Sequence, residues 1–266
     1  MITYYVDCKV NRNTFVNKSN LLLSKVFDIT DVHVDCFGRM KTSMILYLAQ
    51  EVAGNHFERL AMDYDALADQ GLFWAITRHK VQVTRLPRHG EKVRIETWPM
   101  PTTRVAYPRS VVAYDEAGQE LFRSISLWVL MDPQTRAMVL PGKSGVIVPG
   151  ILRGNELPSP NSLAPASLSA QIARTVRFTD LDGNGHMNNA RYLDWMADLL
   201  PSSFHADHVI RDMTLGYVAE AREGDGLQQQ WQLLEDGRLR LEITRADGEK
   251  NSRIFSADIQ FGTDIL

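Results

Sequence analysis

Residues 179–201 read TDLDGNGHMNNARYLDWMADLLP, and the organisation of the chain is read outward from them. Asp180, Asp182, Asn184 and His186 form a short polar run loosened by Gly183 and Gly185. A helix is expected to follow at once, because Tyr192, Trp195, Met196 and Leu199 recur at i, i+3, i+4, i+7, with Asp194 and Asp198 on the opposite face. Asn188 and Asn189 suit its start and Pro201 its end. The polar run is thus expected against a helix N-terminus, where free amides near Met187 and Asn188 favour a developing oxyanion.

The same plan occurs earlier in the chain. The stretch KVFDITDVHV (25–34) reads as a strand, and Ile45, Leu48, Ala49 and Val52 carry the helical period, with Gly54 as a stop or kink. After a polar connector, MDYDALADQG, the strand candidates are KVQVTRL, KVRIETW, RSVVAYD and ISLWVLMD, with DEAG (115–118) as a hairpin turn. In the second half RTVRFTDLD reads as a strand. After the helix come VIRDMTLGYVAEA, LQQQWQLLE, RLRLEITRA and RIFSADIQF, with Asp-Gly turns in EDGR and ADGE. Between them, a stretch rich in Pro, Gly and Ser reads as a connector.

Pairing Gly38-Arg39-Met40 with Gly185-His186-Met187 superimposes the halves at an offset of 147. Asp35 then matches Asp182, but Phe37 stands opposite Asn184 and Arg39 opposite His186. Only the second copy carries the full polar set. A helix wrapped by an antiparallel sheet leaves sheet surface uncovered, and two such units joined edge to edge solve that. The expected fold is α+β, with an N-terminal domain over 1–145, a linker over 146–169 and a C-terminal domain over 170–266.

Composition narrows the function. Of 266 residues, 44% are apolar and 23% charged, as in ordinary globular proteins, and the net charge of −3 disfavours a general nucleic-acid or membrane-surface binder. Two cysteines, Cys8 and Cys36, form no disulfide framework or zinc motif, and MITYYVDCKVNRN lacks the order of a secretory signal. A reducing, cytoplasmic setting is the expectation. DLDGNG begins like a calcium loop, but its twelfth position from Asp180 is Arg191, where a bidentate Glu is needed. His205 and His208 in HADH, read as a loop, lack companion ligands for a metal.

TDLDGNGHMNNARYLDW, together with TWP (97–99) and SLWVLMDPQTRAMVLP (126–141), resembles the acyl-acyl-carrier-protein thioesterases of plant plastids and their bacterial relatives. The resemblance covers most of the chain and implies two tandem hot-dog domains. It implies hydrolysis of an acyl thioester of acyl carrier protein to free fatty acid, without cofactor or metal. Asp182, Asn184 and His186 map onto the family's polar set, and Glu220 onto its later glutamate through LGYVAEAREGD. Many plant members have a cysteine next; here it is Ala221, so a cysteine nucleophile is not available.

The resemblance also implies that the N-terminal half selects chain length, with Met44, Tyr47 and Leu48 as candidate tunnel residues and Trp98 and Trp128 beside them. Docking of the acidic carrier would use cations such as Arg174, Arg177, Arg191, Arg78, Lys80, Arg85 and Arg88. The chain would act as a monomer or homodimer. The competing readings are an acyl-CoA thioesterase of the same fold and a non-catalytic acyl-binding protein. From pattern alone, Asp180, Asp182 and Asn184 are equally well turn and cap residues, and Glu220 a solvated strand-end acid.

Overall fold

A computed structural model describes residues 18–154, 156–247 and 250–263. Cys8, the N-terminal stretch and the Gly248–Glu249 part of the second Asp-Gly turn lie outside these residues.

The first half begins with β1 (Leu23–Asp28), shorter than the 25–34 strand expected because a 3₁₀ turn, Asp31–His33, follows. Then come α1 (Thr42–Arg59), α2 (Tyr64–Ala68), β2 (Phe73–Val83), β3 (Lys92–Pro99), β4 (Tyr107–Tyr114) and β5 (Glu120–Met131). The short β6 (Met138–Val139) and α3 (Pro141–Ser144) close it. The second half has β7 (Ala170–Thr175), a 3₁₀ turn at Phe178–Asp180, α4 (Arg191–Ala197) and α5 (Ser202–Asp207). It continues with β8 (His208–Tyr217), β9 (Gly226–Leu233), β10 (Arg238–Asp247) and β11 (Lys250–Thr263).

The α1 period is obeyed: Ile45, Leu48, Ala49 and Val52 are all buried. Full burial of each large side chain contributes about 1.5–3 kcal/mol, enough to carry the helix through Gly54 to Arg59 instead of stopping there. The connector after it holds α2, which Asp63 caps by accepting the Ala66 N–H at 3.0 Å. The two main helices differ. The helix α4 starts at Arg191 and ends at Ala197, shorter than the sequence pattern implied, and of the HADH stretch read as a loop, α5 takes in His205 to Asp207 while His208 opens β8.

All strands join one antiparallel sheet in the order β1-β3-β4-β5-β2-β8-β11-β10-β9-β7, with β6 on β5. The order is a palindrome of the two halves, joined where β2 pairs β8, Arg78 opposite Gly216 and Gln82 opposite Asp212. One apolar core runs across the seam. Ile45, Leu46 and Val52 of α1 share it with Tyr192, Trp195 and Met196 of α4.

The connector after α3 has no regular structure among its described residues and lies over the outer sheet face. Ile151 N–H donates to Pro99 O at 2.9 Å, and Gly150 lies so near Met100 that an added Cβ would meet its carbonyl at 2.2 Å. Further along, Arg78 donates to Pro160 O at 3.4 Å and Arg253 to Leu163 O at 3.0 Å. This covering buries β4 on both faces, where alternation alone would leave one exposed.

The duplication extends to single hydrogen bonds. Asp35 Oδ1 accepts the N–H groups of Phe37 and Arg39 at 2.9 and 3.0 Å; Asp182 Oδ1 accepts those of Asn184 and His186 at 2.8 and 3.4 Å. Asp35 N–H donates to Arg39 O at 2.7 Å and Asp182 N–H to His186 O at 2.8 Å. Gly38 and Gly185 sit at φ +72° and +74°, a backbone shape that glycine adopts without strain.

Candidate active site

The turn at 182–186 is fastened to the loop between β8 and β9. Met187 N–H donates to Ala221 O at 2.8 Å, and Gly224 N–H to Val176 O at 3.0 Å. In the first half Met40 N–H donates to Pro87 O at 2.7 Å and Gly90 N–H to Ile29 O at 2.8 Å. The equivalence on this later segment is therefore an offset of 134 (221 less 87), and Glu220 corresponds to Leu86.

This arrangement brings Glu220 to His186. Glu220 Oε2 lies 3.2 Å from His186 Nε2, within hydrogen-bond reach, although the residues are far apart in sequence. Glu220 Oε1 is paired with Arg136, which projects from the β5–β6 hairpin of the other half, and Arg222 Nη2 is 3.8 Å from Oε2. Arg245 donates to the Glu220 carbonyl at 3.2 Å and to Asp225 at 2.9 Å.

Burial pushes the His186 imidazole below its usual value; Arg222 and Arg136 act in the same direction and Asp182 against them. The ring is therefore neutral near pH 7. With an ionised Glu220 on Nε2, the proton sits on Nε2 and Nδ1 keeps the lone pair, the state a general base requires.

The remaining expected residues separate. Asp182 is close to His186, but its Oδ1 is committed to the turn, the same service Asp35 performs in the half without the histidine. Asn184 is exposed at the turn tip beside it. Asp180 is structural: 4% exposed, it accepts from Arg177 N–H at 3.0 Å, Arg191 at 3.1 and 3.2 Å and Trp195 Nε1 at 3.3 Å.

The expected oxyanion site at Met187 and Asn188 does not hold. Met187 N–H is spent on Ala221 O, and Asn188 N–H donates to Asp180 O at 2.8 Å. Nor does a helix start there. Asn188 Oδ1 accepts Ala190 N–H at 2.8 Å, opening a turn ahead of α4, and Asn189 O accepts from the Tyr217 hydroxyl at 3.2 Å.

In the first half the corresponding place has no such chemistry. Arg39, 3% exposed, donates to His205 O at 2.5 Å and Ala206 O at 3.5 Å, capping the last carbonyls of α5. His205 Nε2 and His208 Nδ1 are each engaged with a backbone carbonyl, of Ala197 at 2.9 Å and Phe204 at 3.0 Å. Leu48 is core, and Met44 and Tyr47 pack against it, Tyr47 beside Arg191 and Asp194 of α4. Trp128 stacks edge-on to Phe57 and Trp74, and Trp98 lies under Arg153. A groove lined by Leu163, Ala166, Glu242 and Ser256 lies under the connector on the outer face, not at His186.

Most of the expected docking cations are already engaged. Lys80 pairs with Asp212, Arg85 with Glu91, Arg174 with Asp198, and Arg191 with Asp180 and Asp194. Arg78 is turned to the connector, while Arg177 is exposed.

Two family models match the chain in tandem, the acyl-ACP thioesterase N-terminal domain over residues 20–140 and the acyl-ACP thioesterase C-terminal domain over 166–261. The chain belongs to the acyl-ACP thioesterase family. Over 226 residues it is 26% identical to the chloroplastic palmitoyl-acyl carrier protein thioesterase of Gossypium hirsutum, covering 79% of this chain and 55% of that one. Over 194 residues it is 29% identical to the chloroplastic dodecanoyl-[acyl-carrier-protein] hydrolase of Cinnamomum camphora, covering 67% and 51%. It thus spans about half the length of the curated relatives it matches.

Among solved structures, an acyl-ACP thioesterase from Bacteroides thetaiotaomicron aligns with a TM-score of 0.80 at 23% identity, covering 93% of this chain and all of that one. The 12:0-ACP thioesterase of Umbellularia californica gives 0.78 at 22%, covering 91% and 98%. The α+β fold is of the hot-dog type that these family members share.

Arg136 and the Leu86–Glu220 equivalence were missed by sequence reasoning. Arg136 lies inside SLWVLMDPQTR, a stretch used for the resemblance alone, and the shift from 147 to 134 hides Leu86 from a single-offset comparison.

Proposed function

We propose that this chain hydrolyses the thioester of an acyl group on acyl carrier protein, giving free fatty acid and the carrier thiol. The observation that carries this is the His186–Glu220 pair, present in only one copy of a duplicated turn, in a chain of this family. The relatives named palmitoyl-acyl carrier protein thioesterase and dodecanoyl-[acyl-carrier-protein] hydrolase support the same substrate class.

His186 Nδ1 takes a proton from water as the oxygen attacks the thioester carbonyl, and Glu220 stabilises the imidazolium that forms. The carbonyl oxygen becomes an oxyanion, for which the Asn184 side-chain amide is the proposed donor. Collapse expels the thiolate, which takes the proton from His186, so one water gives one acid and one thiol. Asp182 holds the turn and thereby the imidazole. No step needs a metal or a cysteine nucleophile. The half over 1–145 sets chain-length preference, the connector over 146–169 joins it, and 170–266 carries the chemistry.

The test is thiol release from matched acyl-carrier and acyl-CoA substrates across chain lengths. Faster turnover of the carrier substrate supports the reading. Preference for CoA would replace it with an acyl-CoA thioesterase, and no turnover of either would refute it.

A further inference from the structure

We infer that Arg136 is a positioning residue for hydrolysis: its guanidinium holds one oxygen of Glu220 so that the other faces His186, and the C-terminal site is therefore incomplete without the N-terminal half. The inference rests on the assignment of His186 and Glu220 given above.

The carboxylate is divided between two partners. Oε1 is paired with Arg136 and Oε2 lies 3.2 Å from His186 Nε2. A glutamate with its side chain 36% exposed has rotamer freedom, and a second contact on the far oxygen is what selects the orientation facing the ring. The guanidinium is itself steadied, with its carbon 4.8 Å from the centroid of the Phe73 ring. Phe73, on β2, pairs with Met131 at the base of the same hairpin, so the platform is tied to the strand from which the hairpin rises.

The backbone points the same way. The turn is closed on both sides of Arg136: Asp132 Oδ1 accepts the N–H groups of Gln134 and Thr135, each at 2.8 Å, and Arg136 N–H donates to Asp132 O at 3.0 Å. Asp132 N–H donates to Ala137 O at 3.0 Å. This forces Arg136 to φ +57°, a left-handed position where hairpins of this kind favour glycine. An arginine kept at a strained turn position, with its head group on a carboxylate of the other half, is explained by the carboxylate and not by the turn.

Arg136→Gly and Arg136→Lys in the full chain test this, with an acyl-N-acetylcysteamine thioester, which carries neither carrier protein nor CoA. Arg136→Gly relieves the backbone, so its melting temperature is expected at or above that of wild type. Its kcat is expected to fall about 10- to 100-fold, as for other residues that orient a functional ligand, with KM changed by less than about threefold.

Arg136→Lys keeps a cation beside Glu220 and should recover part of kcat; should Arg136→Gly fail to fold, a lower kcat of Arg136→Lys at unchanged KM supports the inference and a kcat equal to wild type overturns it. A kcat for Arg136→Gly within about threefold of wild type, or a loss confined to KM, would overturn the inference. With wild type active, those results overturn it alone; a wild type that turns over neither this thioester nor the acyl-carrier substrate overturns it together with the assignment it rests on.

Discussion

Replacing Glu220 by Gln keeps the shape of the side chain and changes which atom can face His186. Arg136 offers only donors, so the carbonyl oxygen of the substituted side chain must turn toward it, leaving the amide nitrogen toward His186 Nε2. That nitrogen also donates, so Nε2 must accept and the ring proton moves to Nδ1, the atom that has to take the proton from water. Two losses result: the charge-assisted contact, worth about 1.5–3 kcal/mol, and the productive tautomer. Because 36% of the Glu220 side chain remains in water, a total of about 2–3 kcal/mol is the reasonable figure. That is roughly a 30- to 150-fold drop in kcat at pH 7. The assay is continuous thiol release at saturating substrate, with a thermal melt as the folding control. Adding Arg136→Gly to Glu220→Gln frees the amide to flip, so the double variant should be faster than Glu220→Gln alone. A Glu220→Gln enzyme within about threefold of wild type would refute the tautomer argument.

Asp35→Ala and Asp182→Ala remove the same acceptor from the two copies of the turn, so each should cost about 1 kcal/mol of stability, measured by urea titration. Only Asp182→Ala should also lower kcat severalfold or more. Asp180→Ala should lower the melting temperature more than either, since it leaves the Trp195 indole N–H and two Arg191 donors without their acceptor, Arg191 keeping Asp194. His56 and His79 are buried, and desolvation lowers both to about 4, with the nearby Arg109 assisting at His56. Their folded values lie below the unfolded value of about 6.5, so their contribution is intact above pH 6.5 and lost as pH falls from there toward 4. The loss is up to about 3 kcal/mol for each, and His56→Gln or His79→Gln should flatten that slope in urea titrations at pH 7, 6, 5 and 4.

The helices and the duplication were legible because burial enforces periodicity. Ile45, Leu48, Ala49 and Val52 all face the core, and Asp35 and Asp182 make matching turns. Where pattern failed, a longer-range contact had replaced a local preference. The amides of Met187 and Asn188 look free in sequence, yet the Ala221 carbonyl of the β8–β9 loop and the Asp180 carbonyl take them. Arg39, opposite His186 in the repeat, is buried against the carbonyls ending α5, a contact no local spacing gives. Arg136 escaped because its partner is brought near only by the joining of β2 and β8, which no spacing along the chain encodes.

In the proposed reaction only one of two equivalent turns performs the hydrolysis. Thiol release from an acyl-carrier substrate by wild type, His186→Ala and Arg39→Ala measured side by side tests it most directly. His186→Ala is expected to lose at least about 100-fold in kcat, while Arg39→Ala, once corrected for its folded fraction, stays within about threefold of wild type. An active His186→Ala enzyme, or equal losses in both, would contradict it.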